Sequence, residues 1–416
     1  MNNICPVCQQ ETTKTKCESC GFEMPRFAFL SEDDANKWYK NTMLPYREAW
    51  EKRPKNRCES CGKELQEEWK FCPHCATSVK IRENAPVFSS IQLVRTFVEH
   101  KNVRSFAFSP DGKYIASLSY STSLYNSTLK LWEVKGGWLI RTVKNRRTFA
   151  FSPDSKYIVS EGVNTLELWE VESGRPVGTF KGYVGSVTEI AFSPNGKYIV
   201  SGSGIRTLEL WETESRQHVC TFKNKNDVLS AAFSPDGKYV FSWPSLWETE
   251  SGQLVRIFTG DKGKRYSPIF TPDGKYLVSG SSDGTLKQWQ VESGRLRTIE
   301  GHERQVSLIA LSPDSKYIIS GSNDGTLKIW EAESGRFVHS INERNNILAT
   351  AFSPDGKYIV SGSNDKTLKL WETKSGRLIY TIEGQEDNIN SVAFSPDGKY
   401  IVSGSVDSTL KLWELV

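Results

Sequence analysis

A seven-residue phrase, Phe-Ser-Pro-Asp-Gly-Lys-Tyr, returns eight times with small variations, starting at Phe108, Phe151, Phe192, Phe233, Phe270, Leu311, Phe352 and Phe394. Each copy is followed by a Leu-Trp-Glu-like phrase, whose tryptophans are Trp132, Trp169, Trp211, Trp247, Trp289, Trp330, Trp371 and Trp413. The spacing is about 40 residues, a period that marks a chain built by repeating one supersecondary unit. A unit this small cannot bury its own apolar face, so the copies must stack on one another.

The copy around Phe352 shows what the unit is. Ile347 to Phe352 reads as a strand, and Ser-Pro-Asp-Gly then turns, with Pro354 presetting φ and Gly356 tolerating a left-handed conformation. Tyr358 to Ser361 is a second strand, Thr367 to Trp371 a third, and Leu378 to Ile382 a fourth, separated by Gly/Ser/Asn/Asp turns. Four short antiparallel strands per period describe a propeller blade. The repeats over 93–416 resemble the WD40 family, with Trp-Glu standing where that family has Trp-Asp in seven copies and Trp289-Gln290 in the fifth. The resemblance implies an all-β, eight-bladed WD40 β-propeller. The last copy ends on its third strand, and residues 93–97, which read like a fourth strand, are expected to complete it and close the ring. A seven-bladed ring is the alternative, since the fourth copy has lost its second turn around Trp243-Pro244.

Ahead of the repeats, eight of nine cysteines form Cys-x-x-Cys pairs: Cys5 with Cys8, Cys17 with Cys20, Cys58 with Cys61, and Cys72 with Cys75. Two such knuckles separated by a short loop supply four thiolates, which suits a tetrahedral zinc ion and leaves no open position for catalysis. Residues 1–80 thus read as two zinc ribbons holding two structural Zn(II), similar to the double zinc ribbon of many prokaryotic proteins. Short helices are expected at about 31–53 and a linker at 81–92. Disulfides or a redox site are the alternative reading of the pairs. No secretory leader is recognisable before Cys5, so reduced thiols and a cytoplasmic setting are expected. His74 is expected to face water, and Cys220 to act as a small apolar residue.

Net charge is only +4 over 416 residues, and residues 1–90 carry nearly equal numbers of basic and acidic groups. That balance lacks the basic stripe of a nucleic-acid domain. No run of eighteen apolar residues offers a membrane span. Local basic clusters do occur, one with Arg141, Lys144, Arg146 and Arg147, another with Lys262, Lys264 and Arg265. Both fall between a fourth strand and the next first strand, on the face where the resemblance implies docking of partners. Irregular loops add Tyr120, Tyr125, Tyr183 and Trp243 as candidate contacts.

His302, Ser320, Asp324 and Trp330 in the sixth copy superficially suggest a hydrolase triad. The WD40 resemblance implies a structural hydrogen-bond network instead. It is complete only in this copy, because Asp283, Asp365 and Asp407 keep the turn acid without the histidine. The function expected is a non-catalytic protein–protein scaffold of prokaryotic regulatory, signalling or defence type, with no small-molecule substrate. Its partner would be a protein, a protease or another effector among the candidates. The alternative is a nucleic-acid-associated factor using the ribbons or the basic rim.

Overall fold

The computed structural model describes residues 3–4, 11–12, 90–98, 103–119, 127–162, 165–181, 187–203, 206–228, 230–259, 268–343 and 345–416. The chain divides into Met1–Val87 and Phe88–Val416. Within the first unit, Asn3–Ile4 and Glu11–Thr12 pair as two very short antiparallel strands. The zinc ligands expected from the sequence, Cys5, Cys8, Cys17, Cys20, Cys58, Cys61, Cys72 and Cys75, lie outside the described residues. So do His74 and the helices expected at 31–53.

The second unit is all β: eight four-stranded antiparallel sheets, one per sequence copy. Blade 6 is representative, with strands Val306–Leu311, Tyr317–Ser322, Thr326–Glu331 and Phe337–Asn342. Copy four is a complete blade, so the seven-bladed alternative is not what forms. Its strands Tyr239–Ser242 and Ser245–Glu248 pair directly, with Ser242 opposite Ser245 across a turn of only Trp243 and Pro244. The eighth blade borrows its outer strand from the start of the ring: Ile91–Val98 pairs antiparallel with Thr409–Leu415. That strand begins at Ile91, two residues inside the stretch read as linker.

Apolar residues gather in eight clusters, each shared by two neighbouring blades. Every cluster contains the third-strand tryptophan of one blade laid against the face of the blade before it. Trp371 packs on Ile319, Leu327, Ile329 and Ile341 of blade 6. Trp132 packs on Phe97, Val402, Leu410 and Leu412, and so closes the ring from blade 1 onto blade 8. Removing one such tryptophan deletes a large buried surface at a seam, a change that typically costs about 3–5 kcal/mol.

The repeated phrase makes a second ring of contacts. In blade 1, Ser109 Oγ donates to Asp111 Oδ1 (2.6 Å) and accepts from Tyr114 N (3.0 Å), while Asp111 Oδ1 accepts from Lys113 N (3.1 Å). Serine and aspartate therefore satisfy the turn's backbone locally. The proline points to the next blade: Pro153, Pro194, Pro235, Pro313, Pro354 and Pro396 each lie against the turn glycine that follows around the ring. Those glycines hold φ of 71–73°, as at Gly356. Blades 2 and 6 carry Ser155 and Ser315 instead, at φ of 62° and 59°. There the serine hydroxyl accepts the backbone N–H of Asp111 or Asp273 in the preceding blade, at 2.9 Å each. All eight seams are thus stitched at this end of the strands, forming a collar. At the rim, Arg95, Arg256 and Arg297 donate to carbonyls of the next blade's outer turn.

Candidate functional site

The face opposite the collar is built from the connections between each fourth strand and the next first strand, together with the turns between second and third strands. Blade 6 shows how its residues are held. His302 Nδ1 lies 2.9 Å from Asp324 Oδ2, and His302 Nε2 lies 2.7 Å from Ser320 Oγ, which also accepts from Trp330 Nε1 at 2.8 Å. Thr326 Oγ1 donates to Asp324 Oδ1 at 2.6 Å. Burial pushes the His302 imidazole below its ordinary value, against the pull of Asp324. Burial would raise the Asp324 carboxyl, but bonds from Thr326, His302 and the Glu303 N–H win and hold it at about 2. Ser320 has no exposed surface and its hydroxyl is engaged on both sides, so these residues tie the connection to the blade rather than offer a nucleophile.

Neighbouring blades lack the histidine of this set but place other side chains in the matching connection. At the chain position of His302, blade 7 has Glu343, which accepts from Ser361 Oγ and pairs with Lys369 Nζ at 3.0 Å. Lys369 also reaches Asp365 at 3.1 Å, and Trp371 donates to Ser361 at 2.9 Å. Blade 8 has Gln385, which donates to Ser403 Oγ at 2.6 Å, and blade 4 has Asn224, which donates to Ser242 Oγ at 3.3 Å. Blade 2 has Arg146, paired with Glu167 at 2.6 Å. His302, Glu343, Gln385 and Asn224 occupy one position and each reaches the buried second-strand serine of its blade, whereas Arg146 stands nearer its first strand and pairs with third-strand Glu167.

That placement removes Arg146 from the docking candidates. Its side chain is 9% exposed and its charge is neutralised inside blade 2. Arg147 is half-buried beside Glu161, whose carboxyl burial raises while Arg147 opposes the shift. Trp243 is also part of the fold: its ring lies 4.9 Å from that of Trp289 at the seam of blades 4 and 5. Tyr120, Tyr125, Tyr183, Lys262, Lys264 and Arg265 lie outside the described residues.

Sequence reasoning missed how charge is divided on this face. Among the described residues, the arc from blade 1 to blade 4 presents Lys144, Lys181, Arg206, Lys223 and Lys225, all exposed, with Asp227 bonded to Arg206 at 3.2 Å. The arc from blade 5 to blade 8 presents Glu300, Glu303, Glu383 and Glu386, with half-buried Asp387 and Asp407 behind them. Arg304 and Lys366 are the exposed cations there among the described residues. The signal was available in the sequence, but only once the eight connections are aligned by blade. Among the described residues, no cluster of His, Cys, Asp and Glu is arranged to hold a metal ion, and no helix is long and apolar enough to cross a membrane.

Comparison with known proteins agrees with this geometry. The family model of the IFT122 first beta-propeller matches residues 145–414, and that of the WD domain, G-beta repeat, matches residues 91–133. A zinc-ribbon domain model matches residues 57–79, which contain Cys58, Cys61, Cys72 and Cys75. That match covers one ribbon; the first of the two expected ribbons, with Cys5, Cys8, Cys17 and Cys20, falls outside it. Among solved structures, the chain is similar to the computationally designed Ika8 protein, with a TM-score of 0.65 and 25% identity over 76% of this chain and 97% of that one. No curated protein matches it.

Proposed function

The chain belongs to the family of the IFT122 first beta-propeller, and on that footing we propose that it is a non-catalytic scaffold that docks protein partners on the connection face of the ring. The observation that carries this reading is the fate of the reactive-looking side chains. His302, Ser320 and Asp324, the counterparts Glu343, Gln385 and Asn224, and the neighbouring Arg146 are all bonded into their own blades. Among the described residues, that face carries exposed charge on short connections, which suits recognition.

The eight paired cysteines support two structural zinc sites in the first unit, four thiolates each. Cys5, Cys8, Cys17 and Cys20 would hold one ion, on their spacing alone. Cys58, Cys61, Cys72 and Cys75, inside the zinc-ribbon match, would hold the other. Reduced thiols suit a cytoplasmic setting. The paired ribbons and regular repeats favour a prokaryotic regulatory or defence role, with a protease or other effector as the docked protein.

The test is capture of partners from the native host by the full chain, followed by rebinding with both components purified. A stoichiometric complex that survives H302A is the expected result. Failure of any purified protein to rebind, together with hydrolysis of ester, peptide or phosphate substrates that H302A abolishes, would replace the scaffold with an enzyme.

A further inference from the structure

The connection face is electrostatically two-sided. Lys144 ends the fourth strand of blade 1, Lys181 that of blade 2, and Lys223 that of blade 3, with Lys225 two residues beyond. Antiparallel pairing sets Lys144 opposite Thr128, Lys181 opposite Thr165 and Lys223 opposite Thr207, so all three stand at the same end of their blades. They therefore form an arc of one sign along successive connections. The facing arc, across the ring, carries Glu300 and Glu303 between blades 5 and 6, and Glu383 and Glu386 between blades 7 and 8. Salt screens exposed charges over about 8 Å at physiological ionic strength, so each charge acts chiefly on the part of a ligand lying beside it.

We propose that the basic arc over blades 1–4 receives an acidic segment of a protein partner, and that the acidic arc confines that segment to one half of the face. The inference rests on the scaffold reading above. Charge complementarity chooses the occupant. A short acidic peptide can lie along Lys144, Lys181, Lys223 and Lys225 and stop. A nucleic acid is a continuous polyanion whose affinity grows with each phosphate neutralised; extended across the face, it would meet Glu300, Glu303, Glu383 and Glu386 and be repelled. The acidic arc thus acts as the repulsive element that discriminates against the wrong class of partner.

Arg206 is left out of the test because Asp227 already neutralises it. Labelled decaglutamate is titrated into the full chain at low salt, beside decathymidylate of similar formal charge. The wild-type chain is expected to bind the peptide more tightly than the oligonucleotide. K144E/K223E/K225E is expected to weaken peptide binding about tenfold or more, with K144Q/K223Q/K225Q in between. All three lysines are exposed, so thermal melting of both variants should match the wild type. E300K/E303K/E386K is expected to raise oligonucleotide binding. Peptide affinity unchanged by the triple reversal overturns the proposal, as does tighter binding of decathymidylate by the wild-type chain. A purified protein partner that rebinds equally well to K144E/K223E/K225E would leave the scaffold standing and remove the acidic segment.

Discussion

Ser320 is the residue on which the blade 6 network turns. It accepts from Trp330 Nε1 and meets His302 Nε2, so replacing it by alanine leaves two buried N–H or N groups without partners. Ser320→Ala is expected to lower unfolding free energy by about 1–3 kcal/mol, read from urea midpoints. The turn acids add a pH dependence. Burial would raise Asp283, Asp324 and Asp365, but their hydrogen bonds, led by Thr285, Thr326 and Thr367, hold each carboxyl at about 2. Unfolded aspartate titrates at about 3.9, so the stabilisation is complete above about pH 4 and disappears as pH falls toward about 2. Urea midpoints should therefore drop across that window, and Asp324→Asn combined with Asp365→Asn should flatten the drop. An unchanged slope in the double variant would show that these bonds do not survive in solution.

Strands and turns were the most legible elements. The β-forming run of Tyr358 to Ser361 and the alternation of Thr367 to Trp371 mark strands, and Gly356 marks a turn that needs positive φ. What the local pattern does not reveal is the contact made one period away. Pro313 is a turn residue by sequence; that it lies on Gly356 of the next blade requires the ring. The same gap hid the networks. Glu343, Gln385 and Asn224 differ in type and share only position, so a search for repeated histidines passes over them. It also made Arg146 look like rim charge, since a cluster of arginines in a connection gives no hint that one reaches Glu167. The collar yields a graded prediction. At φ of 71°, Gly356→Val should cost about 1–2 kcal/mol or more through backbone strain. Gly356→Ser should cost less, because Ser315 shows how a serine at this position recovers a hydrogen bond from the preceding turn. Thermal melts of the two variants decide it; equal losses would mean that the serine bond contributes nothing.

At the scale of the molecule, the two units carry different kinds of stability. The ring from Phe88 to Val416 is held by eight tryptophan seams and closed through Ile91–Val98, with no metal cluster among its described residues. The first unit is expected to owe much of its folding to zinc. Chelation should release two zinc ions per chain and leave the ring's melting transition in place; a ring that melts on chelation would refute that separation. The ring also carries its own control for docking. The lysine of the repeated phrase stands on the collar side, as at Lys113, Lys156, Lys316 and Lys357, all about 70% exposed. Lys144, Lys181, Lys223 and Lys225 are exposed on the opposite face. Lysine-directed cross-linking of the reconstituted complex, read by mass spectrometry, therefore reports which face the partner covers. The scaffold account predicts partner cross-links at Lys144, Lys181, Lys223 and Lys225 and none at the collar lysines, whereas cross-links concentrated on Lys113, Lys156, Lys316 and Lys357 would contradict it.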